Sequence, residues 1–332
     1  MRIFFAGDHV SGTGPANVTK YYIENLPEGT MYLHSMNKAF RFLEIVIDTI
    51  KADVVVYSGY SRQNIIGLRL AKLLKRPSAY LMHGCVEHEN AINRQVDESM
   101  NAVERRTMDL CDLIIAVSGR FAGWLCDNYP MYADKIDHVT NGIDPLLFEI
   151  RTGDVPRDDK MIFSVGGGMP RKMIKFICEA VKILREESGE DYRLVVTGDT
   201  GADSEAVDAY DFVEDRGIVS FDENVKLYGK AALFIQNSSF ETFGLAPVEA
   251  LACGCSVLLS RQIGALEVIR NISDTDVIEN YDDPHEIASK IKHILNEPNA
   301  ARLQEGIDRE TYSWKERSAA LERMLSKLAS KR

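Results

Sequence analysis

Two glutamates, Glu241 and Glu249, stand eight positions apart around Thr242-Phe243-Gly244-Leu245-Ala246-Pro247. A strand-like apolar run at 233–236 precedes them, and a helix candidate at 247–252 opens on Pro247. Proline is tolerated in a first helical turn, where its missing N–H has no intrahelical partner to lose. Amides of Phe243 to Ala246 at such a start would face outward as an anion site. That is worth ~0.3 to 1 kcal/mol per charge when exposed and up to ~2 kcal/mol when partly buried. A diphosphate held there would have one carboxylate on each side. Two carboxylates that share no cation suit sugar hydroxyls. The plain alternative makes Glu249 a partner of the helix dipole and Glu241 a surface acid.

Other residues invite chemistry less strongly. His83 and His88 with Glu87 and Glu89 suggest a metal cluster, but two histidines at helical i,i+4 spacing are absent. His83 by itself reads sooner as a histidine ending a buried strand, satisfied by a backbone carbonyl. Lys172 opens a helix candidate at 172–187, where a cation is locally unfavourable, which points to an anionic neighbour. Asp274-Thr275-Asp276 mimics a metal-binding carboxylate pair but falls in a loop near the C-terminus. Six scattered cysteines, with Cys253-Gly254-Cys255 the one close pair, read as small buried hydrophobes of a reducing compartment.

These residues need elements to hold them, and the pattern supplies them. Short apolar runs at 3–6, 31–33, 54–57, 79–82 and 113–117 alternate with helix-length segments at 16–25, 38–50, 64–74 and 97–109. The second half repeats this with strand candidates at 161–165, 193–197, 233–236 and 256–260, and helix candidates at 172–187, 224–230, 247–252 and 284–296. Strands joined by helices must be largely parallel and covered on both faces. The polar stretch 151–160, with Gly153 and Pro156, reads as a linker. At 314–328, Leu321, Met324, Leu325 and Leu328 share a helical face. The expected class is α/β with two doubly wound, Rossmann-like domains facing a cleft: 1–155, 156–310 and a C-terminal helix at 311–332. Ligands in such sheets bind beyond the carboxyl ends of strands.

Composition excludes several classes. The 332 residues are 45% hydrophobic and 27% charged, which is globular rather than disordered or fibrous. A net charge of −11 argues against a nucleic-acid partner, whose binding rests on neutralising phosphate. No uncharged apolar run reaches the ~18 to 20 residues that span a bilayer. The start lacks a signal peptide's apolar stretch, so a cytoplasmic location is expected.

The E-x7-E spacing around Phe243-Gly244 resembles the retaining glycosyltransferases of family 4, which have the GT-B fold. The resemblance extends over nearly the whole chain: Ser11 to Asn17 after the first strand, Leu81-Met82-His83-Gly84, Val139-Thr140-Asn141-Gly142-Ile143-Asp144, 161–172, and Ile263-Gly264-Ala265-Leu266-Glu267. It implies that Glu249 binds the nucleotide ribose and Glu241 the donor-sugar hydroxyls near the anomeric carbon. Lys172, with Arg171, would neutralise the leaving diphosphate. His83 would contact the donor sugar, and Gly14 would let backbone approach the phosphates. Thr242, Phe243, Gly244 and Leu245 complete the donor side.

What the resemblance implies is metal-independent hexose transfer without a cofactor. The donor would be a nucleotide sugar, UDP before GDP, and the acceptor a glycan or lipid-linked sugar in polysaccharide biosynthesis. The chain departs from the family in carrying Gly166-Gly167 where a glycine-arginine pair is usual. It has Met173 where a glycine follows the lysine, and Gln236-Asn237-Ser238 for proline-serine. The missing arginine keeps a non-catalytic partner subunit open as an alternative, with a nucleotide-sugar epimerase as another. A dinucleotide oxidoreductase fits worse, since Gly12-Thr13-Gly14 lacks the third glycine. Arg69, Lys72, Lys75 and Arg76 beside Ile65, Ile66, Leu68, Leu70, Leu73 and Leu74 describe either a basic amphipathic helix on the inner membrane face or the solvated face of a core helix.

Overall fold

Helices return the chain between short apolar runs, so the strands they connect lie parallel. In the computed structural model, which describes residues 1–35, 37–149 and 156–331, two six-stranded sheets form, and the strand pairings are parallel. The residues cluster into two units. Unit 1 holds Met1–His88, Val96–Ile143 and Glu310–Arg332; unit 2 holds Glu89–Gln95 and Asp144–Arg309.

Unit 1 contains β1 (Ile3–Ala6), α1 (Gly14–Asn25), β2 (Met31–Tyr32), α2 (Lys38–Lys51), β3 (Val54–Ser58), α3 (Arg62–Leu73), β4 (Ser78–Met82), the start of α4 (Val86–Ile92), α5 (Glu98–Leu110), β5 (Leu113–Ala116), α6 (Gly119–Asn128) and β6 (Ile136–His138). The sheet order is β2-β1-β3-β4-β5-β6. Strands β1, β3 and β4 are buried along their whole length, as a sheet covered on both faces requires. Thr13, Asn37, Ser61, Asp97 and Ser118 each cap a helix by accepting a first-turn amide.

Unit 2 contains β7 (Asp158–Val165), α7 (Ile174–Ser188), β8 (Arg193–Thr197), α8 (Ser204–Asp208), β9 (Val213–Asp215), α9 (Phe221–Lys230), β10 (Ala231–Gln236), α10 (Ala246–Ala252), β11 (Ser256–Ser260), β12 (Val277–Ile278), α11 (Pro284–Asn296) and α12 (Ala300–Glu305). Its order, β12-β11-β10-β7-β8-β9, reverses between β7 and β10, the place where a doubly wound sheet opens a crevice at its strand ends. Helices α7 and α11 bury Ile177, Val181, Leu184, Ile287, Ile291 and Ile294 against Ile162, Leu194 and Leu233 of the sheet.

The last helix, α13 (Trp314–Ser330), belongs to unit 1. Trp314 stacks on Tyr21 at 4.9 Å between ring centroids and meets Tyr22 edge-on at 5.3 Å. A Cβ on Gly142 would sit 2.5 Å from the Trp314 ring. The Asn141-Gly142 turn is therefore a seat for α13.

The linker expected at 151–160 is corrected in part. Residues 151–155 lie outside the described residues, whereas Asp158, Asp159 and Lys160 open β7. These polar residues are accommodated at the strand's start, where Asp158 pairs with Arg193 at 2.6 Å. Lys172 does not start α7. It ends a short 3-10 turn, Pro170–Lys172, and Met173 at φ 52° separates it from the helix. Of the six cysteines, all free, five are buried and Cys126 is half-buried.

Candidate active site

The loops after β7 and β10, the two strands flanking the order reversal, meet in unit 2. Ser239 donates its amide to the Arg171 carbonyl at 2.8 Å, tying the loops together. After β7 the chain turns through Gly166, Gly167 and Gly168. Gly167 has φ +54°, and a Cβ there would stand 2.0 Å from the Asp199 carbonyl oxygen. Only glycine fits that position. The turn delivers Arg171 and Lys172 to Glu241.

Glu241 Oε2 accepts from Lys172 Nζ at 2.5 Å, Gln236 Nε2 at 2.9 Å and Arg171 Nη1 at 3.3 Å. Arg171 also has its Nε 3.6 Å from Glu89 Oε2, and its amide donates to Asn93 Oδ1 at 3.2 Å. Burial by itself would raise the Glu241 carboxyl, but the Lys172 and Arg171 charges overcome it and hold the group at about 2. Burial pulls the Lys172 ammonium down, against the upward pull of Glu241. The carboxylate is ionised, and two cations flank it in a largely buried setting.

The stretch between the two glutamates is clamped from β11. Gly264 donates to the Glu241 carbonyl at 3.1 Å and Ala265 to the Phe243 carbonyl at 2.7 Å. Ile263 and Glu241 form an isolated bridge. The Ile263 to Glu267 segment is therefore the brace of the Glu241 loop. Phe243 is buried and Thr242 nearly so. Gly244 has φ +83°, a left-handed turn that favours glycine, and a Cβ there would stand 3.1 Å from Glu241 Cγ. Leu245 precedes α10 without a side-chain cap, and Pro247 lies in its first turn.

Glu249 projects from α10 and accepts from the Tyr228 hydroxyl at 3.2 Å. Burial raises its carboxyl to about 7, an effect the Tyr228 hydrogen bond only partly offsets. The two glutamates thus differ sharply: Glu241 is held charged, and Glu249 titrates near neutrality.

His83 and Gly14 are placed in unit 1. The His83 ring nitrogen Nε2 lies 2.8 Å from Ser58 Oγ, which lies 2.7 Å from Thr19 Oγ1. This chain sits at the ends of β3 and β4 and the first turns of α1. Burial lowers the His83 imidazole to about 4, so the ring is neutral. Gly14 opens α1, and a Cβ there would meet nothing within 4 Å.

The histidine and glutamate cluster disperses: Glu87 pairs with Arg105, His88 packs on Trp124, and Glu89 faces Arg171. Asp276 is buried against Arg302 and Asn299 as a structural pair. Among the described residues no group of three or more His, Cys, Asp or Glu is placed to hold a metal ion, and no helix is long and apolar enough to cross a membrane.

Sequence reasoning missed Gln236, Tyr228, Asn93 and the role of Glu89. Gln236 carried a signal, being a polar residue at the end of a fully apolar strand. Tyr228 carried none, since only the packing of α9 beside α10 brings it to Glu249.

Two family models match most of the chain between them. The family model described as Glycosyl transferases group 1 matches residues 148–314, and Glycosyltransferase Family 4 matches residues 4–146. An uncharacterized glycosyltransferase of Methanocaldococcus jannaschii is 26% identical over 235 residues, 63% of this chain. An MMP alpha-(1->4)-mannosyltransferase of Mycolicibacterium hassiacum is 23% identical over 74% of this chain. The chain spans 57% of the length of each of those two relatives. Among solved structures, Anabaena HepE in complex with UDP and glucose superposes with TM-score 0.72 at 13% identity, over 98% of this chain and 99% of that one. The sucrose-phosphate synthase of Thermosynechococcus elongatus gives TM-score 0.71 at 17% identity over the whole of both chains.

Proposed function

The chain belongs to the group 1 glycosyl transferases, with the GT-B fold, and from that premise we propose that it transfers a hexose from a nucleotide sugar with retention at the anomeric carbon. The observation that carries this is the Glu241 cluster. One ionised carboxylate stands among Lys172, Arg171 and Gln236 at the crevice end of β7 and β10.

Unit 2 takes the donor. Glu249 binds the ribose, and the Thr242 to Leu245 turn lies against the diphosphate. Lys172 and Arg171 receive the charge that grows on the departing phosphate, preorganised donors being most effective where charge develops. Two fixed cations supply this without a metal ion. As the bond from the anomeric carbon to the phosphate oxygen breaks, its electron pair goes to the phosphate. Glu241 holds the sugar hydroxyls, and the acceptor hydroxyl adds on the same face while its proton passes to the departing phosphate oxygen. His83, neutral and on unit 1, is assigned to the transferred sugar. Unit 1 takes the acceptor, a glycan or a lipid-linked sugar of polysaccharide assembly, in the cytoplasm or at the inner face of the membrane. UDP is preferred to GDP; HepE in its crystal structure carries UDP.

A panel of nucleotide sugars is screened for slow donor hydrolysis, and the anomer of the product is assigned. Glu241→Ala is expected to abolish transfer while nucleotide binding persists. Full transfer by that variant overturns the role of Glu241. Calorimetric silence toward both UDP and GDP favours the non-catalytic partner that Gly167 in place of arginine suggests.

A further inference from the structure

Eight of the fifteen exposed large apolar side chains among the described residues lie between Phe40 and Leu74, on helices α2 and α3 and at the C-cap of α3. At about 100° per residue, Phe40, Leu43, Ile47 and Ile50 fall within one arc of roughly 80° along α2. They are 62%, 50%, 47% and 50% exposed, while Ile45 and Thr49 bury the opposite face. An unpartnered apolar stripe of this length on a charged chain needs an occupant.

Helix α3 runs beside it: Gln63 donates to the Lys38 carbonyl at one end, and Arg76 to the Ile50 carbonyl at the other. Of the two readings of the 64–74 segment, the solvated face of a core helix is the one that holds for α3. Its Leu68 is buried, and Ile65 and Leu70 are half-buried. What α3 offers outward is Arg69 and Lys72, with exposed Ile66 and Leu73 beside them and Lys75 just past the helix end. Between Lys38 and Arg76 eight basic residues face three acidic ones, in a chain whose net charge is −11. Of the acids, Asp53 is paired with Arg2 and Asp48 with Lys51.

We propose that the outer face of α2 and α3 docks on an anionic phospholipid bilayer, with the α2 stripe in the headgroup boundary and the α3 basic residues on lipid phosphates. At about 1.5 Å per residue the 14 residues of α2 reach about 21 Å, too short to span, and suited to lying in the interface plane. Each basic residue near such a surface strengthens binding, and salt weakens it. In a two-fold dimer this face would meet itself, and its excess of basic residues would repel, which decides against a second copy as the occupant. The inference is independent of sugar transfer, because vesicle binding is read without donor or acceptor.

The full chain is sedimented with vesicles of phosphatidylcholine, with or without about 30 mol% phosphatidylglycerol. Preference of about tenfold or more for the anionic vesicles is expected, falling as salt rises. Leu43→Asp with Ile47→Asp, and separately Lys72→Glu with Lys75→Glu, should each reduce partition about tenfold. Lys226→Glu, an exposed lysine of unit 2, should leave it unchanged. Thermal melting confirms folding, and the charge-reversal pair carries the test should the apolar pair not fold. Equal sedimentation of all forms overturns the proposal. So does a wild-type dimer in sedimentation velocity that the Leu43 and Ile47 substitutions dissociate.

Discussion

Lys172 Nζ stands 2.5 Å from Glu241 Oε2, so the lysine assigned to the donor diphosphate is already engaged by the carboxylate assigned to the sugar. The two roles are coupled: whatever neutralises Glu241 releases positive charge toward an incoming phosphate. Glu241→Gln should therefore bind UDP at least about threefold tighter while donor hydrolysis falls about 100-fold or more. Without ligand the variant should lose roughly 3 kcal/mol of stability, because Lys172 and Arg171 keep their burial and lose their counter-charge. Titration calorimetry and thermal melting with and without UDP measure both. Weaker UDP binding by the variant would contradict the coupling.

If Arg171 takes over the role of the arginine absent at Gly167, as proposed, its loss is felt at the nucleotide. Arg171 reaches Glu241 at 3.3 Å and is steadied by Glu89 and Asn93. Arg171→Ala should weaken UDP binding about 10- to 100-fold, the range of a lost charge-assisted hydrogen bond. Restoring arginine at the usual position cannot compensate. Gly167 is left-handed, and a Cβ there would lie 2.0 Å from the Asp199 carbonyl. Gly167→Arg is expected to cost about 3 kcal/mol or more, read by denaturant unfolding. A Gly167→Arg, Arg171→Ala double variant with normal stability and affinity would show that the turn adapts.

Much of this was legible in the residues. The apolar runs marked β1, β8 and β11 because buried parallel strands carry no polar alternation to confuse. Strands β6, β9 and β12 have two or three residues, too few for any period to show. Helix α6 was obscured by Gly119 and Gly123. At the site, the spacing of Glu241 and Glu249 was visible, and so was Lys172. That Glu241 would be gripped by Gln236 was not, because the contact depends on the loop after β10 folding back over the strand's last residue. The basic residues of α3 were visible, whereas the outward stripe belongs to α2 and emerges only once Ile45 and Thr49 are seen facing inward.

Met173 occupies the place where a glycine follows the lysine in the family, and its φ of 52° shows what that glycine accommodates. A left-handed conformation costs an ordinary residue roughly 1 to 2 kcal/mol. Glycine removes that strain and returns roughly 0.5 to 1 kcal/mol through the entropy of the unfolded chain. Met173→Gly should then be neutral or stabilising by about 1 kcal/mol, without weakening UDP binding. Equilibrium unfolding decides it. A loss above about 1 kcal/mol would mean that the Met173 side chain is needed where it lies.

With Glu249 in its proposed ribose-binding role, both stability and nucleotide binding should depend on pH, in opposite senses. The folded Glu249 carboxyl is raised to about 7 from an ordinary 4.5, so the native state holds a proton that the unfolded chain releases. The stability this contributes is fully present below about 4.5 and is lost as pH rises through 7. Glu249→Gln cannot lose it. The melting temperature of the variant should therefore gain on the parent between about pH 5 and pH 8. A carboxylate accepts hydrogen bonds from ribose hydroxyls best when ionised, so UDP should bind the parent more tightly as pH rises over the same interval. Glu249→Gln should flatten that rise. Melting curves and calorimetry over this interval test both halves. A parent whose UDP affinity does not change across neutrality would separate Glu249 from the ribose.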